Sequence, residues 1–313
     1  MEEEIFEPQV FEWKDEYALG VEELDRAHRQ LFSVVNRVIN NFMDMDFEKN
    51  RKTCIEAVKF LKDHTMKHFA EEEAYQVANH YGGYAIHKRI HDNMREVILP
   101  NLEKELTTKS YSKEALQHFI GVCTGWLAGH ILVEDQAIVG KRKSKWTEKV
   151  VAHDNKDEHL DGVVRKNINE IFHFNAELAN GKYTGYKLTK PFCYGDTYTT
   201  EDGRIVAIMT AVEEAALKKM AADLFNEKLF QMNAVMSSML GEMLTLFNTN
   251  VVMGFLGERA KSIKSKIISN TEFYYQYEHI YPEYTMIWRT GQGYIACCLT
   301  EISAEQFATF KDK

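Results

Sequence analysis

Apolar residues recur with a helical period through most of the first 140 positions. Leu24, His28, Leu31, Phe32, Val35, Val38 and Ile39 lie at three- and four-residue steps, predicting a helix from about Val21 with one side turned to a core. NFMDMDFEKN (41–50) reads as a loop. A second helix runs through Cys54, Ile55, Val58, Leu61, His64, His68 and Glu72, with Glu71 and Glu73 offset toward solvent. Gly82-Gly83 interrupts it, since paired glycines disfavour helix. A third helix starts near Tyr84, carries His87, His91, Met94 and Ile98, and is expected to kink or end near Pro100. A fourth begins at Tyr111-Ser112, with Leu116, Phe119, Ile120, Cys123, Leu127, His130 and Ile131 on its apolar face and Asp135 following. Residues 1–20 read as irregular, with Trp13 and Tyr17 placed to pack across one end. Four helices with modest loops predict an antiparallel four-helix bundle.

The period then changes. GKRKSKWTEKVVAHDNKDEH, roughly 140–159, has the rhythm of neither half and reads as a linker, with His153 and His159 exposed. LDGVVRKNINEIFHFNAE (160–177) reads as a helix, and a polar stretch follows. RIVAIMTAV (204–212) reads as a buried strand and EEAALKKMAADLF (213–225) as a helix. A long helix covers 229–256, with Met232, Met236, Met239 and Met243 as a core stripe. YTMIWRTGQGYIACCLTEI predicts a β-hairpin turning at Gly291-Gln292-Gly293. The expected architecture is multidomain: a bundle over 1–140, a linker over 141–159, and an α+β domain over 160–313 with long helices packed on an antiparallel sheet.

Composition narrows the function. With 313 residues and 45% hydrophobic content, the chain can fill two cores. A net charge of −9 gives no electrostatic footprint for nucleic acid, and KRKSK (141–145) reads as a solvated helix end. The acidic start MEEEIFEPQVFEWKDE lacks the basic and apolar regions of a secretory leader, and no window approaches 18 uninterrupted apolar residues. Five cysteines (54, 123, 193, 297 and 298) without CxxC spacing suit reduced thiols. These features predict a cytoplasmic protein with no membrane span. Cys297 and Cys298 would point to opposite faces of a strand as packing residues.

Three pairs concentrate the chemistry. His68 and Glu72, and His87 and His91, are spaced i, i+4; His130 and Asp135 are spaced i, i+5. Residues one helical turn apart present two donor atoms to one point. A single histidine on an apolar helix face is usually a buried side chain with a hydrogen-bond partner. Five of them with two carboxylates, His28 included, would be costly to bury among Leu, Phe and Ile without a metal. Seven donors exceed one tetrahedral zinc and suit two six-coordinate metals sharing bridging carboxylates, with one position open. His64 and His118 fall outside this set and are assigned to surface or supporting roles.

Residues 11–140 resemble the bacterial hemerythrin family through Trp13, GVEELDRAH ending at His28, HFAEEE, HKRIH and WLAGHILVED. The resemblance implies two non-haem iron ions: His87, His91 and His130 on one, His28 and His68 on the other, and Glu72 and Asp135 bridging. It also implies O2 as the ligand, bound at the second iron. An imidazole-rich site favours reversible binding over O–O cleavage. Leu127 and Ile131, flanking His130, are candidates for the dry wall of the oxygen pocket.

Residues 160–313 resemble the chemotaxis phosphatases of the CheX and CheC type through the opening helix, RIVAIMTAV with its following helix, and SSMLGEMLTLFNTN. In that family a Glu-x-x-Asn motif dephosphorylates a response regulator. Glu242 matches the Glu, Thr245 stands in place of the Asn, and Asn248 and Asn250 are out of register. A hydroxyl lacks the reach and paired donor and acceptor of an amide, which counts against an enzyme. The combined expectation is an O2 or redox sensor coupled to a signalling domain. Its partner would be a response regulator or other chemotaxis component, with homodimerisation through the second domain. The alternatives are an O2-gated response-regulator phosphatase, or an oxygen or iron carrier with a dimerisation domain.

Overall fold

The computed structural model describes residues 11–43, 47–142, 155–182, 188–224, 234–257, 260–280, 282–303 and 307. The chain divides into two compact units, Met1–Glu148 with Leu224–Leu240, and Lys149–Asp223 with Gly241–Lys313.

Among the described residues of 11–142, four helical rods form the bundle: α1 (Glu22–Met43), α2 (Phe47–Ala78), α3 (Tyr84–Asn93) continuing into α4 (Leu99–Thr108), and α5 (Lys113–His130) continuing into α6 (Gln136–Ile138). The α1 stripe from Leu24 to Ile39 is buried as its spacing predicts. Each fully buried Leu, Val or Phe contributes about 1.5–3 kcal/mol relative to exposure. The start of α1 is fixed by Asp25, whose carboxylate accepts from the Leu19 and Gly20 amides at 2.6 and 3.0 Å. The upstream segment is tied down by Asn36, which exchanges hydrogen bonds with the Phe11 backbone, and by Phe11 stacked on Phe32 at 3.9 Å. Ser112 caps α5, its hydroxyl accepting from the Ala115 amide. At the α2–α3 corner, the Tyr81 ring closes over Gly83, so a Cβ there would stand 2.6 Å from it and the ring would have to move.

One expectation fails here, and another is narrowed. The segment 41–50 is mostly helical: α1 reaches Met43 and α2 starts at Phe47, with 44–46 outside the described residues. The short polar residues mimic a loop, but the flanking apolar stripes carry both helices inward. Pro100 does not end its helix. A π-helical segment, Met94–Ile98, precedes it, and Pro100 opens α4 at a position where a missing N–H is tolerated.

The second unit holds an antiparallel sheet in the order β1-β5-β6-β3-β2-β4. Its strands are β1 (Glu177–Asn180), β2 (Phe192–Thr200), β3 (Ile205–Val212), β4 (Ala260–Ile268), β5 (Tyr284–Thr290) and β6 (Gly293–Ile302). Helix α7 (Lys156–Phe172) packs Val163 against Gly254 of α9 (Ala234–Leu256), and Phe172 lies beside Phe247 at 5.4 Å. Asp161 accepts from the Trp288 indole at 2.8 Å, joining α7 to β5. Phe273 of α10 (Asn270–Ile280) shares a core with Cys193, Met209, Ala296 and Cys298 on the opposite face. Cys297 and Cys298 are both buried in packing roles. The remaining helix, α8 (Glu214–Leu224), matches its predicted span.

Helix α7 starts inside the predicted linker, because Asn155 accepts from the Asp157 and Glu158 amides and caps it there. His159 is accordingly half-buried against Phe255, ring centroids 5.7 Å apart, rather than exposed; His153 lies outside the described residues. Met236, Met239 and Met243 are buried in the core, while Met232 is likewise outside the description. Two stretches, Lys113–Ile138 and Val235–Leu256, are long and apolar enough to cross a membrane by length and composition. Their apolar windows are 83% and 56% buried within the protein, as core helices are.

Candidate metal centre

The three sequence pairs and His28 converge inside the bundle. His28 comes from α1, His68 and Glu72 from α2, His87 and His91 from α3, His130 from the end of α5, and Asp135 from the turn after it. The i, i+5 spacing of the last pair has a structural cause: Ile131–Asp135 is π-helical, so Asp135 returns under His130. All seven side chains are nearly inaccessible to solvent.

They form two groups. Nε2 of His91 lies 3.2 Å from that of His87 and 2.9 Å from that of His130. Nε2 of His28 and His68 are 3.0 Å apart. Two metal–nitrogen bonds of about 2.1 Å at right angles would place donors about 3.0 Å apart, so these separations fit ligands around an ion. The carboxylates span both groups. Glu72 Oε1 is 2.7 Å from His87 and Oε2 is 3.3 Å from His68. Asp135 Oδ1 is 3.0 Å from His130 and Oδ2 is 3.3 Å from His28. Within 4.8 Å of one another stand the donor atoms of Glu72, His87, His91 and His130, and likewise those of His28, His68, Glu72 and Asp135.

The protonation pattern suits metal binding. Burial, with the neighbouring His68, pulls His28 below the ordinary histidine range. Burial and His130 lower His91 to about 2. Burial acts to raise Glu72, but the adjacent His68 and His87 overrule it and hold the carboxyl well below its usual range. Asp135 is lowered against its own burial and the charge of Glu72, by His130 and His28. His87 is the exception: burial lowers it, and Glu72 overrules that and raises it to about 9. Displacing one proton from His87 would complete the donor set. Among the described residues, Glu72 Oε2 and both Asp135 oxygens are buried without a hydrogen-bond partner, a costly state that cations would relieve. The residues therefore fit the group.

Residues 19–141 match the family model described as the hemerythrin HHE cation binding domain. The first unit is thus similar to hemerythrin-type domains over these residues, and its histidines and carboxylates form two groups able to hold metal ions. A bacteriohemerythrin of Clostridium acetobutylicum is 29% identical over 135 residues, spanning 42% of this chain and 99% of that protein. Myohemerythrin of Sipunculus nudus is 26% identical over 134 residues, spanning 43% of this chain and 95% of that protein. Among solved structures, chemotaxis protein CheX from Vibrio vulnificus aligns with 48% of this chain and 99% of its own at 8% identity, with a TM-score of 0.35. CheX from Desulfovibrio desulfuricans aligns with 47% and 99% at 8% identity, with a TM-score of 0.32.

Around the hemerythrin-type site the structure adds residues that spacing did not single out. Trp126, one turn before His130, stacks on its ring at 4.3 Å, and Phe69 stacks on His91 at 4.0 Å. Gln76, one turn after Glu72, donates to Glu72 Oε1 at 2.6 Å. Glu73, expected toward solvent, instead meets His91 Nδ1 at 3.0 Å and pairs with Arg95. Its position is set by the packing of α3 on α2, which helical phase alone does not encode. Leu127 and Ile131 are buried beside His130. His64 bonds the Phe60 carbonyl and His118 pairs with Glu105, both at the surface.

In the second unit Glu242 is half-buried on α9. Burial and the charge of Asp196 raise its carboxyl to about 8. The Thr245 hydroxyl donates to Tyr194 Oη at 3.0 Å. Asn248 faces the sheet, donating to Asp196 at 2.7 Å and accepting from Thr210 at 2.6 Å. Asp196 is raised by burial to about 7. Because the folded form holds a proton that the unfolded form releases near pH 4, the contribution of Asp196 to stability is full below pH 4 and falls as pH rises through 7. Asp196→Asn should flatten this slope, removing about 2–4 kcal/mol of pH-dependent loss between pH 4 and 8. Urea unfolding of the second unit across that range checks it, and equal slopes in both proteins would refute the assignment.

Proposed function

We propose that the chain is an oxygen sensor: O2 or redox change at the di-iron site alters the second domain or its contact with a signalling partner. The observation that carries this reading is the pair of carboxylates, Glu72 and Asp135, each with one oxygen on a three-histidine group and the other on a two-histidine group. In this assignment His87, His91 and His130 would hold one iron and His28 and His68 the other, with Glu72 and Asp135 supplying the carboxylate donors. The centre supplies reversible O2 binding when loaded. The protein's own part is to keep His28 and His91 neutral, both carboxylates ionised, and the site dry, with Leu127 and Ile131 forming part of the oxygen-pocket wall.

The functional domains are 1–140 and 160–313, joined by 141–159, in a cytoplasmic protein. The resemblance of the second domain to chemotaxis phosphatases makes a response regulator or related chemotaxis component the expected partner, with self-association through that domain. The site around Glu242 does not favour phosphatase chemistry. A carboxyl raised to about 8 is largely protonated at neutral pH, and Thr245 is engaged with Tyr194. Coupling requires differential stability between the two states of the centre. Iron-loaded protein, reduced without oxygen and then oxygenated, should change its amide exchange in 160–313 by at least about threefold at some segments. Exchange there that ignores oxygen, while the centre itself responds, would leave a carrier rather than a sensor.

A further inference from the structure

Among the histidines of the site, His91 is held differently. Among the described residues, Nδ1 of His28, His68 and His130 is buried without a hydrogen-bond partner, whereas His91 Nδ1 lies 3.0 Å from Glu73 Oε1. Glu73 is itself fixed: Arg95 Nη2 donates to the same oxygen, and the Arg95 guanidinium sits over the Phe69 ring at 5.5 Å. Phe69 in turn lies flat on the His91 ring, centroids 4.0 Å apart and planes 12° from parallel. His91 is thus gripped on its outer edge and on one face, and Arg95 links the two grips.

We propose that Glu73 is a positioning residue for the three-histidine iron position. A carboxylate has no hydrogen to give, so the contact requires His91 to carry its proton on Nδ1. That choice leaves the Nε2 lone pair directed at His87, His130 and Glu72. The negative charge also makes this imidazole a stronger donor, which favours the ferric over the ferrous state of the iron it holds. Arg95 keeps the carboxylate in place and tempers its charge. This rests on the reading that His87, His91 and His130 bind one iron, and it adds an electrostatic asymmetry between the two positions.

The test uses the full chain loaded with iron, with chelator resistance and reduction potential as readouts. Wild-type protein must first hold two irons; if it does not, the site assignment fails rather than this proposal. Given that, Glu73→Ala should release one of its two irons to a chelator 10–100-fold more readily, while the other stays as in wild type. Glu73→Gln, which keeps an acceptor but not the charge, should retain both irons and shift one ferric/ferrous ratio about tenfold toward ferrous, equal to about 59 mV for one electron. A residue that only stabilised the fold would lower stability without this split between the two variants. Wild-type chelator resistance in Glu73→Ala, or an unchanged potential in Glu73→Gln, would overturn the proposal. The isosteric Gln variant decides the matter should the Ala variant not fold.

Discussion

Glu72→Ala is expected to reduce bound iron from about two per chain to below one, because a single carboxylate serves both positions. Oε1 faces His87 and His91, and Oε2 faces His68. Loss of a terminal histidine would weaken one position; loss of Glu72 removes a donor from each and the anion that offsets two adjacent cations. Its removal also leaves Gln76 Nε2 without its acceptor at the centre of the core. Metal analysis of purified variant and wild type checks the prediction, with His68→Ala as comparison. Glu72→Ala protein that still binds two irons would show that Glu72 does not bridge.

The second large effect is on stability. Without metal, the bundle buries five imidazoles and two carboxylates, three of whose oxygens lack a hydrogen-bond partner among the described residues. Ligand binding to the folded state alone stabilises it by about 4 kcal/mol at a thousandfold excess over the dissociation constant. Chelator-stripped protein should therefore unfold its first unit at least about 5 °C below the iron-loaded form, and calorimetry before and after iron is restored measures this. The transition of the second unit is expected to stay put. Identical curves for stripped and loaded protein would mean that the cluster is a self-satisfied polar core.

Much of the site is legible in the sequence. Six of its seven residues fall in three spaced pairs that bring donors to one side of each helix, and His28, within the apolar stripe of the first helix, completes the set through the resemblance to hemerythrins. His130 and Asp135 looked out of phase for an α-helix, and the π-helical turn at Ile131–Asp135 supplies the missing geometry. Glu73 was hidden because its partner sits on another helix: phase places it beside Glu72, and only the packing of α3 brings His91 and Arg95 to it. In the second unit, the hairpin β5–β6 and strand β3 were plain from apolar runs and turn glycines. Strand β2 was not, because Gly195, Asp196 and Thr197 interrupt its pattern although all three pair within the sheet. Strand β4 escaped because a lysine-rich edge strand, AKSIKSKII, carries little apolar signal. Helix α10 is short, and its aromatic residues read equally well as strand.

The most direct test of the oxygen-responsive di-iron assignment is a single titration. Iron-loaded protein is reduced without oxygen, then exposed to air while iron per chain and visible absorption are recorded. The account predicts about two irons per chain and a new visible absorption that fades when oxygen is withdrawn. Fewer than about one iron per chain, or bound iron whose spectrum ignores oxygen, would contradict it.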